Sequence, residues 1–565
     1  MRMIYKIALI VTAICIISSG CQKMLDVNSD QTAPTDGKKL TSFDNSLYYL
    51  SGIFSQVEKV AERYVILGEL RGDLMDITPN ASLDLRQINN FEATAANPYV
   101  TIKDYYSIIN NCNYLISVTD TAIVTGGLKE LLRVYAAAKA IRAWTYMQIV
   151  LNYGKAIYYE QPILSLDDTS KNYPEYDLNQ LSTVLINDLL PLIDVQKPMY
   201  EGETNSSGSF LIGELNSTYF YFPIRFLLGE LYLWRGEYEN AANAYRDLMY
   251  LNYSVTNYKN ISDGTEPIRS SWNVVNGEFV NVNSKWYNIF YSHSWEILSE
   301  IGTTSQYGSG SKLKELSFDN YMIKPSTVSI SNWDNQVYYD VNPLYVTSGD
   351  LRGVDGSYIY PNLNSSKLTS GVSLKGIDNY IFKYYLRDLQ YIQNDPKCEL
   401  ITTCRAGLLY LRYAEAVNRL GKPNLAWAVL KNGLNVTTMS NPSIVPVSEI
   451  GNSKPNYMNF DDVRFANNIG IHARGCGHVE KAANYSIPSL PSLQDSVLYV
   501  EDMIQKELAL ETAFEGNRFQ DLMRIALRRN DPSYLANLVA QKHQDNQEAI
   551  RVKLLNTDNW YLPSK

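Results

Sequence analysis

His472, Cys476 and His478 in the run GIHARGCGH are the one grouping in this chain with metal-ligand character. A structural zinc site takes four ligands in preset tetrahedral geometry, and Asp461 or Glu480 would have to complete this one. Three close ligands on a run broken by glycines read better as a structural loop, so no metal is expected. For catalysis there is no constellation, since HExxH, a phosphate-binding Gly-Lys loop and a nucleophile elbow are all missing. Carboxylate pairs such as Asp73 with Asp76, or Asp461 with Asp462, do not define a glycosidase, whose two acids are set by their separation in space. The expectation is a binding protein that is not an enzyme and uses no cofactor. Recognition of sugars calls for flat aromatic faces against C–H surfaces and planar amide, carboxylate or guanidinium groups against hydroxyls. The span from Arg71 to Tyr99 holds that inventory in Asp73, Asp76, Asn80, Arg86, Asn90, Asn97 and Tyr99, and Trp272, Trp286, Tyr287 and Trp333 follow in loop-like sequence as aromatic platforms. These are the expected ligand-binding residues as a group, while each alone has an alternative role in packing or loop structure.

Such residues need a frame, and three segments share one helical grammar. In AAAKAIRAWTYMQIVLNYG, Ala136 to Gly154, the residues Ala136, Ala140, Ala143, Met147 and Val150 recur at steps of three and four, which predicts a helix with a small-residue stripe. LGELYLWRGEYENAANAYRDL, Leu228 to Leu248, carries the tetratricopeptide signature: Leu228, Gly229 and Tyr232 on a first helix, a break at Gly236, then Tyr238, Ala241, Ala242 and Tyr245 on a second. RYAEAVNRLGKPNLAWAVLKNGL, Arg412 to Leu434, repeats the plan, with Gly421 ending one helix and Pro423 starting the next. Units of this kind bury their apolar faces only against neighbours, so a stacked helical layer is expected. Between them, residues 255–380 are rich in Ser, Asn, Gly and Tyr and read as loops and short strands. Gly202 to Ser209 and Thr437 to Pro491 read as further loops.

At 565 residues with 45% apolar and 19% charged side chains, the chain is long enough for a large core and reads as globular. Its formal charge of -9 becomes -11 once Arg2 and Lys6 are removed with residues 1–20, and a surface of that sign repels a phosphate backbone, so no nucleic-acid partner is expected. The first twenty residues look like a secretory signal, with Arg2 and Lys6, the apolar run Ile7 to Ile17, and Ser18, Ser19 and Gly20 before Cys21. That run is too short to span a bilayer. Small residues leading into Cys21 resemble a bacterial lipoprotein box, with Ser18 standing where an aliphatic residue is usual; an ordinary signal peptide is the alternative. Acyl chains on Cys21 would anchor the protein, and the polar segment after it reads as a tether. Of the remaining cysteines, Cys112, Cys398, Cys404 and Cys476 form no CxxC pair, and a bridge between Cys398 and Cys404 is left open.

Leu25-Asp26 shortly after Cys21, YSIINNCN at Tyr106 to Asn113, the RYAEAVNRLG repeat, and above all ELALETAFEGNRFQDLMRIALRR, Glu507 to Arg529, followed by DNWYLP at Asp558 to Pro563, resemble the SusD/RagB family of outer-membrane nutrient-binding lipoproteins of Bacteroidetes type. The resemblance spans essentially all of the mature chain and is weakest between about residues 255 and 400. It implies an all-α dominated, tetratricopeptide-like helical repeat scaffold with long loop and short-strand insertions. It divides the chain into a signal peptide (1–20), a lipidated tether (21–40), an N-terminal helical region (41–255), a variable ligand-binding region (256–400) and a C-terminal helical region (401–565). It also implies a location at the cell surface on the outer membrane through a lipid anchor, a SusC-like TonB-dependent transporter as partner, and a glycan oligosaccharide as ligand. The stretch from Arg71 to Tyr99 resembles, by position, the early ligand-contacting loop of that family. A peptide ligand on the same architecture, or a tetratricopeptide adaptor that binds other proteins, is the alternative function. Within the C-terminal motif, Leu508, Phe514, Leu522, Met523 and Ile525 are expected as core, with Glu515, Arg518, Asp521 and Arg524 forming a charge cluster near Gly516.

Overall fold

Gly229 shows why the repeat segments become paired helices. A Cβ added there would lie 2.3 Å from the Tyr245 ring, so only glycine lets that ring seat against the first helix. The computed structural model in which this is seen describes residues 39–199, 220–256, 296–304, 311–339, 346–354, 356–361, 378–389, 398–466, 468–475 and 487–564, together with 211–212, 215–216, 272–275, 278–281, 286 and 290. Residues 1–38, which hold the signal-like run, Cys21 and most of the tether, lie outside them, as do Tyr287, Cys476 and His478.

The scaffold begins with α1 (Phe43–Glu69), then β1 (Met75–Ile77), α2 (Leu83–Asn89), α3 (Lys103–Val118), α4 (Glu130–Tyr153), α5 (Leu178–Leu189) and the hairpin α6 (Ile224–Arg235) with α7 (Tyr238–Thr256). It continues through β2 (Ile297–Thr304), β3 (Ile323–Pro325), α8 (Thr327–Asp334) and β4 (Cys398–Arg405). The C-terminal part consists of α9 (Ala406–Arg419), α10 (Pro423–Lys431), α11 (Leu493–Glu511), α12 (Arg518–Arg529), α13 (Pro532–Ala540) and α14 (Gln547–Leu554). Antiparallel neighbours α3/α4, α6/α7 and α9/α10 pack in turn, and α7 also packs on α9. Among the described residues each sheet has only two strands, so the protein is all-α dominated with short-strand insertions. No helix among them is long and apolar enough to cross a membrane.

The break predicted at Gly421-Pro423 falls between α9 and α10 as expected. For α4 the small-residue stripe understates the burial: nearly every side chain from Ala136 to Tyr153 is enclosed, because α1, α3, α5 and α6 surround the helix. Asn110 and Asn113 of the YSIINNCN motif explain its repeated amides. Asn110 accepts from the Ile163 N–H and donates to its carbonyl, while Asn113 donates to the Tyr159 carbonyl, so the chain leaving α4 is pinned to α3. The Cys398–Cys404 bridge is excluded. Cys404 is a free buried thiol, and both residues lie on β4, where six residues of extended chain place their Cα atoms roughly 20 Å apart against the less than about 7 Å a disulfide needs.

The centre of the molecule is a lock between two distant pieces of sequence. Phe514, with φ 68°, and Gly516, with φ 92°, turn the chain sharply between α11 and α12. The buried Glu69 carboxylate at the end of α1 accepts hydrogen bonds from the backbone N–H groups of Phe514 (3.0 Å), Gly516 (2.8 Å), Asn517 (3.1 Å) and Arg518 (3.4 Å). It thereby caps α12, as an anion at a helix N-terminus should. A Cβ on Gly68 would sit 1.9 Å from the Gly516 carbonyl oxygen, so the contact is backbone against backbone. Burial pushes the Glu69 carboxyl up to about 7, against the N–H groups and Lys383, which hold it down. Its folded value therefore lies above the unfolded value of about 4.5, the native state keeps a proton that the unfolded chain has released, and stability falls as pH rises from about 4.5 to 7. The neutral variant Glu69→Gln is expected to lack that loss, about 3 kcal/mol, so the urea midpoint of the parent should fall relative to that of the variant as pH rises through this window. Parallel pH profiles would show that Glu69 titrates alike in both states.

Candidate functional site

Three glutamates on the last turns of α11 and in the turn after it organise the centre of the molecule. Glu507, Glu511 and Glu515 recur every four residues and point into a buried ion network that also contains Arg352, Arg405, Arg474, Lys383, Asp350 and Glu296. Arg405 alone reaches Glu296 (2.6 Å), Glu511 (2.8 Å) and Glu515 (2.8 Å). Burial raises the Glu511 carboxyl, but Arg474, Arg405 and Arg352 around it win and hold it far below the usual range. His472 Nδ1 lies 2.8 Å from Glu507 Oε2, and Arg474 pairs with Glu296 and Glu511. These residues of the GIHARGCGH run are thus fastened into the network. Among the described residues no group of three or more His, Cys, Asp or Glu is arranged to hold a metal ion.

Several residues expected to meet ligand are enclosed instead. Trp333 is 0% exposed, packs on Tyr358 at 5.7 Å between ring centroids and donates from Nε1 to the Leu510 carbonyl (3.1 Å). Trp286, also 0% exposed, covers the ion network, with Arg474 5.3 Å and Arg405 5.4 Å from its ring centroid. Both fail as sugar platforms because each large apolar face is already used inside the protein. Asp73 forms a buried pair with Arg518 (2.6 Å), and buried Asn97 donates to the Asp84 carbonyl and Gln87 Oε1, bracing the loop after α2. Tyr99 is half-buried and donates to Glu62 (3.0 Å). Trp272 begins a strand, Trp272–Val275, with its side chain outside the description. The charge cluster expected within the C-terminal motif is also dispersed: Glu515 pairs with Arg405 and Lys383, Arg518 with Asp73, and Arg524 with Glu415, leaving only Asp521 and Arg524 facing each other (3.1 Å).

Three expected residues do converge. Asp76, Arg86 and Asn90 line a cleft of about 580 Å³, a size typical of small-molecule sites (about 300–1,000 Å³). One wall is β1, paired antiparallel with β3 so that Asp76 stands opposite Lys324. A second is the C-terminal end of α2, bearing Arg86, Asn89 and Asn90. The third is the link between α13 and α14, Lys542 to Asn546, with Thr327 at the start of α8 closing the lining. Arg86 holds the β1–α2 connection by donating to the carbonyls of Ala81 (3.0 Å) and Pro79 (2.6 Å). Lys542 fastens the third wall to the first by donating to the carbonyls of Leu70 (2.6 Å) and Met75 (2.8 Å). Burial pulls its ammonium down to about 8, although Asp76, Asp73 and Glu69 hold it up. Burial, helped by Lys542, takes the His543 imidazole down to about 3, so that ring is neutral in any ordinary medium. His543 Nε2 and Asn89 Oδ1, both on side chains more than nine-tenths buried, have no hydrogen-bond partner among the described residues. Buried polar atoms are nearly always paired, so two orphans in the wall of one cleft leave room for a ligand or water.

Sequence reading missed Lys324, Lys542, His543 and Asn546. The one available signal was the polar run from Gln541 to Gln547, dense in planar side chains between two apolar segments. A second cavity, about 150 Å³, is lined by Ala136, Ala140, Ile193, Phe222, Leu248 and Leu298 among others; it is small and mainly apolar, a poor match to a hydroxylated ligand.

No protein-family model matches the chain, and no curated protein does. Solved structures do. A SusD superfamily protein from Bacteroides vulgatus ATCC 8482 superposes with TM-score 0.58 at 15% identity, over 93% of this chain and 96% of the other. A laminarin-binding SusD-like protein gives TM-score 0.54 at 15% identity, again over 93% and 96%. A SusD-like carbohydrate-binding protein from Bacteroides fragilis NCTC 9343 gives 0.53 at 14% identity, over 87% and 88%. Likeness along nearly the full length of both chains at such low identity establishes architecture, and this chain has the fold of the SusD superfamily.

Proposed function

We propose that the protein is a cell-surface lipoprotein that captures glycan oligosaccharides in the cleft between β1, α2 and the α13–α14 link and delivers them to a SusC-like TonB-dependent transporter. The observation that carries this reading is a roomy cleft lined by amides, carboxylates and cations on a SusD-like frame. Planar donor and acceptor groups of this kind match the paired hydroxyls of sugars, whereas a peptide site would lean on apolar pockets and main-chain pairing. The laminarin-binding relative in fold supports a saccharide ligand, and the lipoprotein-like run before Cys21 supports a surface anchor. In this reading Asp76, Arg86 and Asn90 contact ligand, and the protein binds without turning it over.

Calorimetric titration of the full-length protein in mild detergent against a polysaccharide panel that includes laminarin tests this directly. At least one polysaccharide should bind without release of new reducing ends, and Asn90→Ala and Asn546→Ala should each weaken it by about tenfold, with unchanged melting curves. Release of reducing ends, a folded protein that binds nothing in the panel, or variants that bind as the parent does would each overturn the proposal. The partner is checked separately, by whether a barrel transporter co-purifies with the protein from its native membrane.

A further inference from the structure

The charges in the cleft narrow its ligand, on the reading that saccharide binds there. We infer that the cleft takes an acidic saccharide, whose carboxylate or sulfate group seats among Lys324, Arg86 and Lys542. In the interior of this protein most cations are matched by carboxylates, Arg71, which meets two carbonyls and the Asn152 amide, being an exception. Arg352, Arg405, Arg474, Lys383, Arg518 and Arg524 each face at least one carboxylate. In the cleft the matching stops. Among the described residues Arg86 donates only to backbone carbonyls, through Nε and Nη2, which leaves Nη1 unengaged. Among the described residues Lys542 likewise hydrogen-bonds only to the Leu70 and Met75 carbonyls. The ammonium of Lys324, a half-buried residue, forms no hydrogen bond or ion pair with another described residue, although Asp76 stands opposite it across the strand pair. Asp76 Oδ1 is engaged by the Ile77 N–H (2.8 Å), and the second carboxylate of the lining, Asp545, is exposed. Among the described residues these three cations form no ion pair, although Asp76, Asp73 and Glu69 act on Lys542 at longer range, and the lining itself holds two carboxylates, on a chain whose overall charge of -9 repels acidic polymers. Cations held ready by backbone carbonyls are what an anionic group would need to overcome that repulsion locally. Beside them, neutral His543 with its open Nε2 and Asn89 with its open Oδ1 suit hydroxyl groups, which both donate and accept.

The experiment titrates full-length protein in mild detergent with polygalacturonate, alginate and chondroitin sulfate, with the carboxyl-reduced form of polygalacturonate, with laminarin and with polyglutamate. Binding of an acidic polysaccharide is expected, weakened about tenfold or more by carboxyl reduction or by Lys324→Gln and largely restored by Lys324→Arg. Binding by chondroitin sulfate that is lost on its desulfation identifies sulfate as the seated group; binding by polygalacturonate or alginate identifies carboxylate. If laminarin or the carboxyl-reduced polymer binds as well as the acidic ones and Lys324→Gln changes nothing, the acidic inference fails and the saccharide reading stands. If folded protein binds only polyglutamate, or none of the probes, both fall.

Discussion

Arg405→Met is expected to lower unfolding stability by about 3–5 kcal/mol, the effect of leaving buried carboxylates without their cation. The guanidinium holds three glutamates at once, Glu296, Glu511 and Glu515, and is itself 0% exposed. Removing it strands negative charges that Arg474 and Lys383 satisfy only in part. Arg405→Lys should rescue little, because an ammonium cannot reproduce the fork that reaches several carboxylates and the Glu511 carbonyl together. Urea denaturation at neutral pH measures both, and a loss below about 1 kcal/mol for the methionine variant would show that the network tolerates a gap. A physical consequence extends to function. The network fastens Glu296, Asp350, Arg352 and Lys383 to the C-terminal helix α11 and the turn that follows it. Loosening it should therefore disturb the segments that carry Glu296, Arg352 and Lys383 before the helical layer.

Trp333→Ala is expected to destabilise the protein by about 3–5 kcal/mol, as for other buried large-to-small changes, while saccharide affinity of the remaining folded protein stays as it was. The indole fills the space between α8, Tyr358 and Phe514 and ties α8 to the end of α11 through the Leu510 carbonyl. Thermal melts with and without saccharide separate the two effects. An unchanged melting temperature with lost binding would mean that Trp333 faces ligand after all. The result matters because Trp333 is the kind of residue that sequence reading assigns to a sugar platform.

Glu69 and its neighbours show where legibility ended. The run Glu69-Leu-Arg-Gly-Asp73 carries no periodicity that marks it, yet Glu69 caps α12, Arg71 lies 4.3 Å from the centre of the Phe519 ring, and Asp73 pairs with Arg518. Each partner is more than 440 residues away in sequence. Asp73 was readable as an acid in a polar stretch, and nothing local separates it from Asp76, three residues on, which does line the cleft. Likewise Glu507, Glu511 and Glu515 read as the polar side of an amphipathic helix until Arg352, Arg405 and Arg474 arrive from elsewhere.

The chain by itself determined the helical pairs, their breaks and the small-against-large contacts such as Gly229 with Tyr245, because these depend on residues a few turns apart and on the period of the helix. Its resemblance to SusD/RagB sequences was likewise carried by contiguous motifs. Only the tertiary structure decided which polar and aromatic side chains are buried in ion pairs and core and which are left facing a cleft. Burial of a charge or an indole is a property of what packs over it, and here the covering groups come from segments hundreds of residues distant.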